Sequence, residues 1–368
     1  MSSSALDRTA GWSLSDCTAR EQADIQLLRD LVAIPSLSRH EAHAVTFLRG
    51  AMAARGFQIL ESKAGNAVGT IGTGEKHIVL LGHIDTVPGE IPVRIEDGEL
   101  WGRGAVDAKG PLATFVAAAD AAADALKARI TVVGAVGEEA IHSLGATEIA
   151  TWDAPDFCII GEPSGWDALC LGYRGSLSLL YHAEANMRHT AGPGESIAET
   201  AITFWNALVN EADARNEGAK GAFDRIGLSL RAFNTRSDGL TEAADLSIGI
   251  RLPAGLDVPG LLGRIEELAA TGNASITVEG LQEGYRTTKQ SKLVPPFLRG
   301  IRDEGGSPTF KVKLGTSDMN VVGPVWKCPI AAYGPGDSSL DHTPDERIVL
   351  DEYLRAIRVL SRVLASFV

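Results

Sequence analysis

Over residues 24–55 apolar positions recur every three or four residues, the spacing of helices that bury one face. The run breaks at Ile34-Pro35-Ser36, where proline cannot continue a helix, so two helices are predicted. Ile78-Val79-Leu80-Leu81 is apolar at every position, as a strand covered on both faces must be. An alanine-rich helix is expected over 111–126, with Pro111 in its first turn, where the missing N–H has no helical partner to lose. Residues 130–136 and 157–160 read as further buried strands. Strands alternating with helices predict an α/β fold, a mostly parallel sheet with helices on both faces.

The rhythm changes near Tyr173. Residues 176–185 alternate apolar and polar, like a strand with one wet face, and 196–210 have helical spacing. Strands at 228–233 and 244–251, a helix at 258–270 and a strand at 274–278 complete the order β-α-β-β-α-β, that of a ferredoxin-like α+β unit. After Gly284 the α/β character returns, with a helix over 292–304 and an amphipathic helix from Asp351. The simplest domain organisation is a larger domain of 1–173 and 286–368 with a smaller one, 174–285, inserted.

Composition narrows the function classes. Apolar residues are 45% and charged residues 22% of 368, values of a folded protein, and the net charge of −13 leaves no basic surplus for nucleic-acid phosphates. No run approaches the roughly 18 apolar residues that span a bilayer. Residues 1–20 are serine-rich and lack a basic and then apolar signal pattern, so they read as a loose leader. Cys17, Cys158, Cys170 and Cys328 show no CxxC spacing; buried thiols in a reducing cytoplasm are expected.

The chemistry gathers where strands end. His83 and Asp85 close the first apolar strand in Leu81-Gly82-His83-Ile84-Asp85, on one side by the two-residue period and at the edge where open α/β sheets carry their sites. Alone, such a pair reads equally well as a surface histidine beside an acid. Asp107 follows the glycine-rich turn Trp101-Gly102-Arg103-Gly104 and could be a simple turn aspartate. Glu138 and Glu139 lie just beyond the 130–136 strand, and adjacent carboxylates raise each other's pKa unless a cation is near. Glu162 ends another strand in Ile160-Gly161-Glu162-Pro163, and His342 lies in Leu340-Asp341-His342-Thr343-Pro344 after a glycine turn. Each has a bland reading, but their recurrence at successive strand ends points to a metal site. Asp107, Glu139 and Glu162 supply three negative charges and a hydroxide a fourth, which two divalent ions balance and one does not. Nitrogen and carboxylate ligands without thiolate suit zinc, with cobalt or manganese as rivals, and paired ions suit hydrolysis.

On these residues the chain resembles the dizinc amidohydrolases that include acetylornithine deacetylase, succinyl-diaminopimelate desuccinylase and carboxypeptidase G, from about Ile25 to the end. The resemblance implies that His83, Asp107 and Glu162 hold one metal and Asp107, Glu139 and His342 the other, with Asp107 bridging. It makes Asp85 the residue that orients His83, Glu138 the general base, and the peptide bond after Asp107 cis. Many relatives carry a second acid after the bridging aspartate; this chain has Ala108, with Lys109-Gly110 retained. Relatives place a histidine of a Gly-His-Ser pattern on the transition-state oxygen, across a dimer made by the inserted lid domains. Here His189 stands between Arg188 and Thr190. By the same similarity Arg251 would bind the substrate carboxylate and Asn234 is a further lid candidate.

Gly172-Tyr173-Arg174-Gly175, Gly315-Thr316-Ser317-Asp318-Met319-Asn320 and Tyr333-Gly334-Pro335-Gly336-Asp337-Ser338 are similar to the branch that releases lysine or ornithine from an amino-group carrier protein. That implies a homodimer acting on an N-acyl basic amino acid, with Asp318 a candidate partner for the substrate ammonium. It also implies an acidic carrier met by a cationic rim of Arg174, Arg188, Arg236, Arg286 and Lys289. A dipeptidase or aminoacylase with the same metals, and a metal-free binding protein of the same fold, are the alternatives. GTIGTGEK at 69–76 misses a phosphate loop by its Glu75 and is expected to be a hairpin turn. His40, His43, His77, His142 and His182 lack ligand spacing.

Overall fold

The computed structural model describes residues 13–189 and 192–367. Of the expected loose leader, residues 1–12 lie outside the described residues. The rest is structured: Thr18 closes a capping box with Glu21 at the start of helix α1 (Ala19–Val32). The chain forms two compact units, one of residues up to Leu171 with Thr287–Lys311 and from Ser317 on, the other of Gly172–Arg286 with Val312–Thr316.

The first unit continues with α2 (Ala42–Ala54), β1 (Gln58–Leu60), β2 (Ala67–Ile71), β3 (Lys76–His83), β4 (Arg94–Glu96), β5 (Glu99–Trp101), α3 (Lys109–Ala122), β6 (Ala128–Ala135), α4 (Leu144–Ile149), β7 (Phe157–Gly161) and β8 (Ala168–Tyr173). The second unit contains β9 (Gly175–Asn186), α5 (Ile197–Arg215), β10 (Gly227–Ser237), β11 (Thr241–Leu252), α6 (Val258–Ala270) and β12 (Ser275–Gln282). After it come β13 (Tyr285–Arg286), α7 (Val294–Asp303), β14 (Thr309–Lys313), α8 (Asp318–Trp326), β15 (Ile330–Ala332), β16 (Arg347–Val349) and α9 (Leu350–Ala365).

The large sheet runs β1-β2-β6-β3-β7-β15-β8, and its centre, β6-β3-β7-β15, is parallel. This is why Ile78 to Leu81, Ile130, Val132, Val133 and Cys158 to Ile160 are buried without alternation. Helix α3 is buried almost all round, packed against α1, α9 and the sheet, which only small side chains permit; hence its alanines. One expectation fails. Gly69 to Lys76 is not a hairpin, because β2 and β3 do not pair: β6 lies between them, antiparallel to one and parallel to the other. The link crosses the start of β6, where a Cβ on Gly74 would stand 1.9 Å from the Lys127 carbonyl oxygen.

In the second unit the sheet order is β10-β11-β9-β12, antiparallel throughout, as a ferredoxin-like unit requires. Leu177, Leu179 and Tyr181 of β9 and Ile248 and Ile250 of β11 pack with Phe204, Leu208, Leu261 and Ile265 of α5 and α6. The alternating residues Ser176, Ser178 and Leu180 therefore face away from the helices. No helix of the described residues is long and apolar enough to cross a membrane.

Candidate metal centre

Register brings the site together. Gly82 of β3 lies opposite Gly134 of β6 and Gly161 of β7, so the three parallel strands end level. His83 ends β3, Glu138 and Glu139 stand just past β6, and Glu162 follows β7. The glycine row has its own purpose. A Cβ on Gly161 would lie 2.9 Å from the Phe115 ring, and one on Gly134 would lie 3.2 Å from Leu112. Without side chains there, α3 settles onto the strand ends and carries Asp107, two residues before its start, over them. The Asp107–Ala108 peptide bond is cis, as the resemblance implies.

Asp107 divides its carboxylate between two histidines: Oδ1 is 3.1 Å from His83 Nε2 and Oδ2 is 3.1 Å from His342 Nε2. His342 Nε2 is also 2.9 Å from Glu139 Oε1, and His83 Nε2 is 3.9 Å from Glu162 Oε1. Potential ligand atoms of His83, Asp107 and Glu162 fall within 4.8 Å of one another, as do those of Asp107, Glu139 and His342. A third set, His83, Glu138 and Glu139, meets the same test. His342 is held at φ 60°, a left-handed backbone that a β-carbon disfavours, so tertiary contacts rather than local preference set its aim.

The electrostatics are those of a centre short of positive charge. The imidazole of His342 is pushed up to about 10 by its bonds to Asp107 and Glu139. At His83 burial acts to lower the pKa, yet hydrogen bonds to Asp107 and Asp85 and the charge of Glu138 hold it well above its ordinary value. Burial, with Asp318, Glu162 and Glu139 nearby, raises Glu138 well above a normal carboxylate. Two imidazoles and four acids meet within reach of one another. That donor set fits a pair of divalent ions.

Asp85 is fully buried and ties the parts together. Its main-chain carbonyl accepts from His83 Nδ1 (3.0 Å), which leaves Nε2 aimed at the centre. Its carboxylate accepts the N–H groups of Glu138 (3.1 Å) and Glu139 (3.0 Å) and the Ser38 hydroxyl (2.7 Å). Burial acts to raise its pKa, but the His83 imidazole beside it, and then the bonds from Ser38 and the Glu139 N–H, keep Asp85 below its usual value. Glu346 escaped the sequence reading. Its buried carboxylate accepts the N–H groups of Val106 (3.0 Å) and Asp107 (3.1 Å) and takes Arg103 Nη1 at 2.7 Å, clamping the turn that presents Asp107. In Pro344-Asp345-Glu346-Arg347 it looks like surface charge, and no local signal marks it.

The other predicted residues are spread over both units. Asp318 opens α8 and is buried, with neither carboxylate oxygen in a hydrogen bond and its pKa pushed up to about 7 by burial. Asn234 lies exposed on β10, and Arg251 is half-buried near the end of β11. His189 is exposed, and its neighbours Thr190 and Ala191 lie outside the described residues. Three candidates for the cationic rim are otherwise engaged, among them Arg286, whose Nη1 lies 3.6 Å from Asp224 Oδ1. Arg174 is 6% exposed and donates to the carbonyls of Arg225 and Arg251, and Arg236 is ion-paired to Asp245.

Comparison with known proteins agrees with this geometry. The LysW-lysine hydrolase of Deinococcus radiodurans is 46% identical over 357 residues, 95% of this chain and 99% of that protein. The LysW-lysine/LysW-ornithine hydrolase of Sulfurisphaera tokodaii is 32% identical over 286 residues, 77% of this chain and 79% of its own. A tripeptidase from Staphylococcus aureus superposes with a TM-score of 0.76 at 20% identity, over 94% of this chain and 98% of that one, which shows a shared fold. The model of Peptidase family M20/M25/M40 matches residues 79–366. The strand-end acids and histidines, the fold and these matches agree: the chain belongs to Peptidase family M20/M25/M40 and is a hydrolase.

Proposed function

We propose that the chain hydrolyses the amide on the amino group of lysine or ornithine and releases the amino acid from a carrier protein, in cytoplasmic biosynthesis of basic amino acids. The observation that carries this reading is the division of Asp107 between His83 and His342, in a chain 46% identical over nearly its whole length to a protein named for LysW-lysine hydrolysis. His83, Asp107 and Glu162 would hold one divalent ion and Asp107, Glu139 and His342 the other, zinc before cobalt or manganese. Two such ions lower the pKa of water towards about 7 and polarise the scissile carbonyl.

The rest falls to the chain. Glu138 takes a proton from the attacking water and passes it to the leaving amine, a task suited to a carboxylate raised by burial. Asp85 holds the imidazole of His83 and the backbone of both glutamates in place. Arg251 grips the α-carboxylate, Asn234 assists, and Asp318, whose oxygens have no hydrogen-bond partner, receives the side-chain ammonium. His189 donates to the developing oxyanion from the partner subunit of a homodimer joined through residues 174–285. Support for the dimer comes from β10, an edge strand of 11 residues with Leu230 and Phe233 exposed, which invites pairing with a second copy.

The test supplies lysine and ornithine linked to the carrier protein, alongside N-acetyl-lysine and a dipeptide panel, and assays the free amino acid. Release from the carrier, abolished by a chelator and restored by zinc or cobalt, is expected. Turnover of dipeptides or acetylated amino acids alone would assign the dipeptidase or aminoacylase reading instead.

A further inference from the structure

The amide groups that lead from β6 to the two glutamates are taken up one after another by side chains. Val136 N–H donates to Asn66 Oδ1 at 3.0 Å, and Gly137 N–H donates to Glu41 Oε1 at 3.1 Å. The next two, of Glu138 and Glu139, go to the Asp85 carboxylate. Backbone amides usually meet main-chain carbonyls; here four in succession meet buried side chains, Glu41 being 6% and Asn66 1% exposed. The loop that follows is closed at its neck, where Gly145 N–H bonds to the Val136 carbonyl at 2.8 Å. Packing does little to hold it. Ile141 is 66% exposed and Leu144 59%, and a cavity of about 430 Å3 is lined by Gly137, Ala140 and Leu144 with Val45 of α2.

Glu41 stands at the start of α2, where an acid ordinarily serves its own helix. It makes no such capping bond. Its Oε1 also accepts the Arg39 N–H at 2.8 Å, and the side chain turns to Gly137 instead. Gly137 has φ 73°, the left-handed bend at which the chain leaves β6. The same link between α1 and α2 sets Ser36 Oγ on the Ile84 carbonyl at 2.7 Å and Ser38 Oγ on the Asp85 carboxylate at 2.7 Å. One short segment thus touches the chain just past both β3 and β6.

We propose that the α1–α2 link is a bracket that aims Glu138, with Glu41 as a positioning residue for the reaction. This rests on the reading of Glu138 as the general base. Two bonds to the one carboxylate of Asp85 leave the Glu138–Glu139 segment able to rock about it. Glu41 adds a third point from a different element, at the glycine about which that rocking would turn. Glu139, as a metal ligand, is held from its far end as well, whereas Glu138 has only its backbone. A general base must stand within hydrogen-bond reach of the proton that it takes, and a displacement of about 1 Å can cost on the order of 10²-fold. Loss of Glu41 therefore falls on kcat and spares the metal.

The experiment follows release of lysine from the carrier-linked substrate, per bound metal, in the native enzyme, Glu41→Ala, Glu41→Gln and Glu41→Asp. Hydrogen exchange of the Gly137 amide is measured in the same proteins. Glu41→Ala should lower kcat on the order of 10- to 100-fold, with KM and metal content nearly unchanged. Its Gly137 amide should exchange on the order of 10-fold faster, as the loss of a bond to a charged acceptor requires. Glu41→Gln keeps an acceptor at the same reach and should keep most of kcat and the slow exchange. Glu41→Asp keeps the charge but falls one methylene short, so it should behave like alanine. Native exchange or native kcat in Glu41→Ala overturns the bracket. So does an active Glu41→Asp beside a damaged Glu41→Gln, which would make charge and not reach the cause. Absence of turnover in the native enzyme would sink the hydrolase reading instead, and the exchange rates would still decide whether Glu41 holds the loop.

Discussion

Replacing Glu346 by alanine should damage the metal centre although Glu346 offers no ligand to it. The substitution removes a buried carboxylate from Arg103, whose side chain is 13% exposed, and strands the N–H groups of Val106 and Asp107. Breaking such a buried pair by deleting one partner costs about 3–5 kcal/mol. Two orphaned amides, each worth about 1–3 kcal/mol, put the expected loss at the upper end of that range. Glu346→Gln keeps an oxygen for both amides and loses only the charge on Arg103, so about 1.5–3 kcal/mol is expected. With the turn loosened, Asp107 is no longer aimed, and divalent-ion affinity should fall about 10- to 100-fold in the alanine variant. Urea unfolding gives the first quantity and calorimetric titration of zinc into chelator-treated protein gives the second. An alanine variant that loses less than about 1 kcal/mol and binds zinc like the native chain would refute the clamp. A glutamine variant as damaged as alanine would show that the charge, not the pair of amide bonds, does the holding.

The two adjacent glutamates should separate cleanly. Glu138→Gln should keep its metal while kcat falls on the order of 10²–10⁴-fold, and Glu139→Ala should lose metal; elemental analysis showing full metal in both, with only the second inactive, reverses the roles. His189→Ala should lower kcat roughly 10²–10³-fold with metal retained. Mixing it with Glu138→Ala should restore activity if subunits share sites, and no recovery despite proven exchange counts against sharing. Carrier-linked turnover should drop steeply with salt, since exposed charges are screened within about 10 Å at 0.1 M, while N-acetyl-lysine turnover should barely change. Equal salt dependence for both substrates would remove the case for electrostatic docking of the carrier.

Legibility in the sequence followed the distance over which each residue's partners lie. A parallel strand buried on both faces must be apolar throughout, so Ile78 to Leu81 and Phe157 to Ile160 announced themselves, and the first polar residues after such strands marked the site. The row of Gly82, Gly134 and Gly161 became meaningful only once register aligned it under α3. Glu346 clamps a turn 240 residues away, and Ser38 reaches Asp85 across 47, contacts that no local pattern encodes. Helix α8 went unseen because it is nine residues long with Pro324 inside, against the usual rule for helix interiors. Arg174 was read as surface charge because arginine usually is; here it caps the carbonyls of two neighbouring segments from within. The supposed hairpin at 69–76 failed for the same reason, since β6, inserted between its arms, comes more than fifty residues later.

The central claim is a hydrolase whose Asp107 serves two ions at once. Its most direct test strips the protein with a chelator, removes the chelator, and adds back zinc in steps while release of lysine from the carrier-linked substrate and bound metal are followed together. The account predicts no turnover in the stripped protein, and recovery that is complete only at two zinc ions bound per chain. Asp107→Asn should bind neither ion at the same concentrations. Turnover by the metal-free protein, or full activity with a single ion bound, would contradict it.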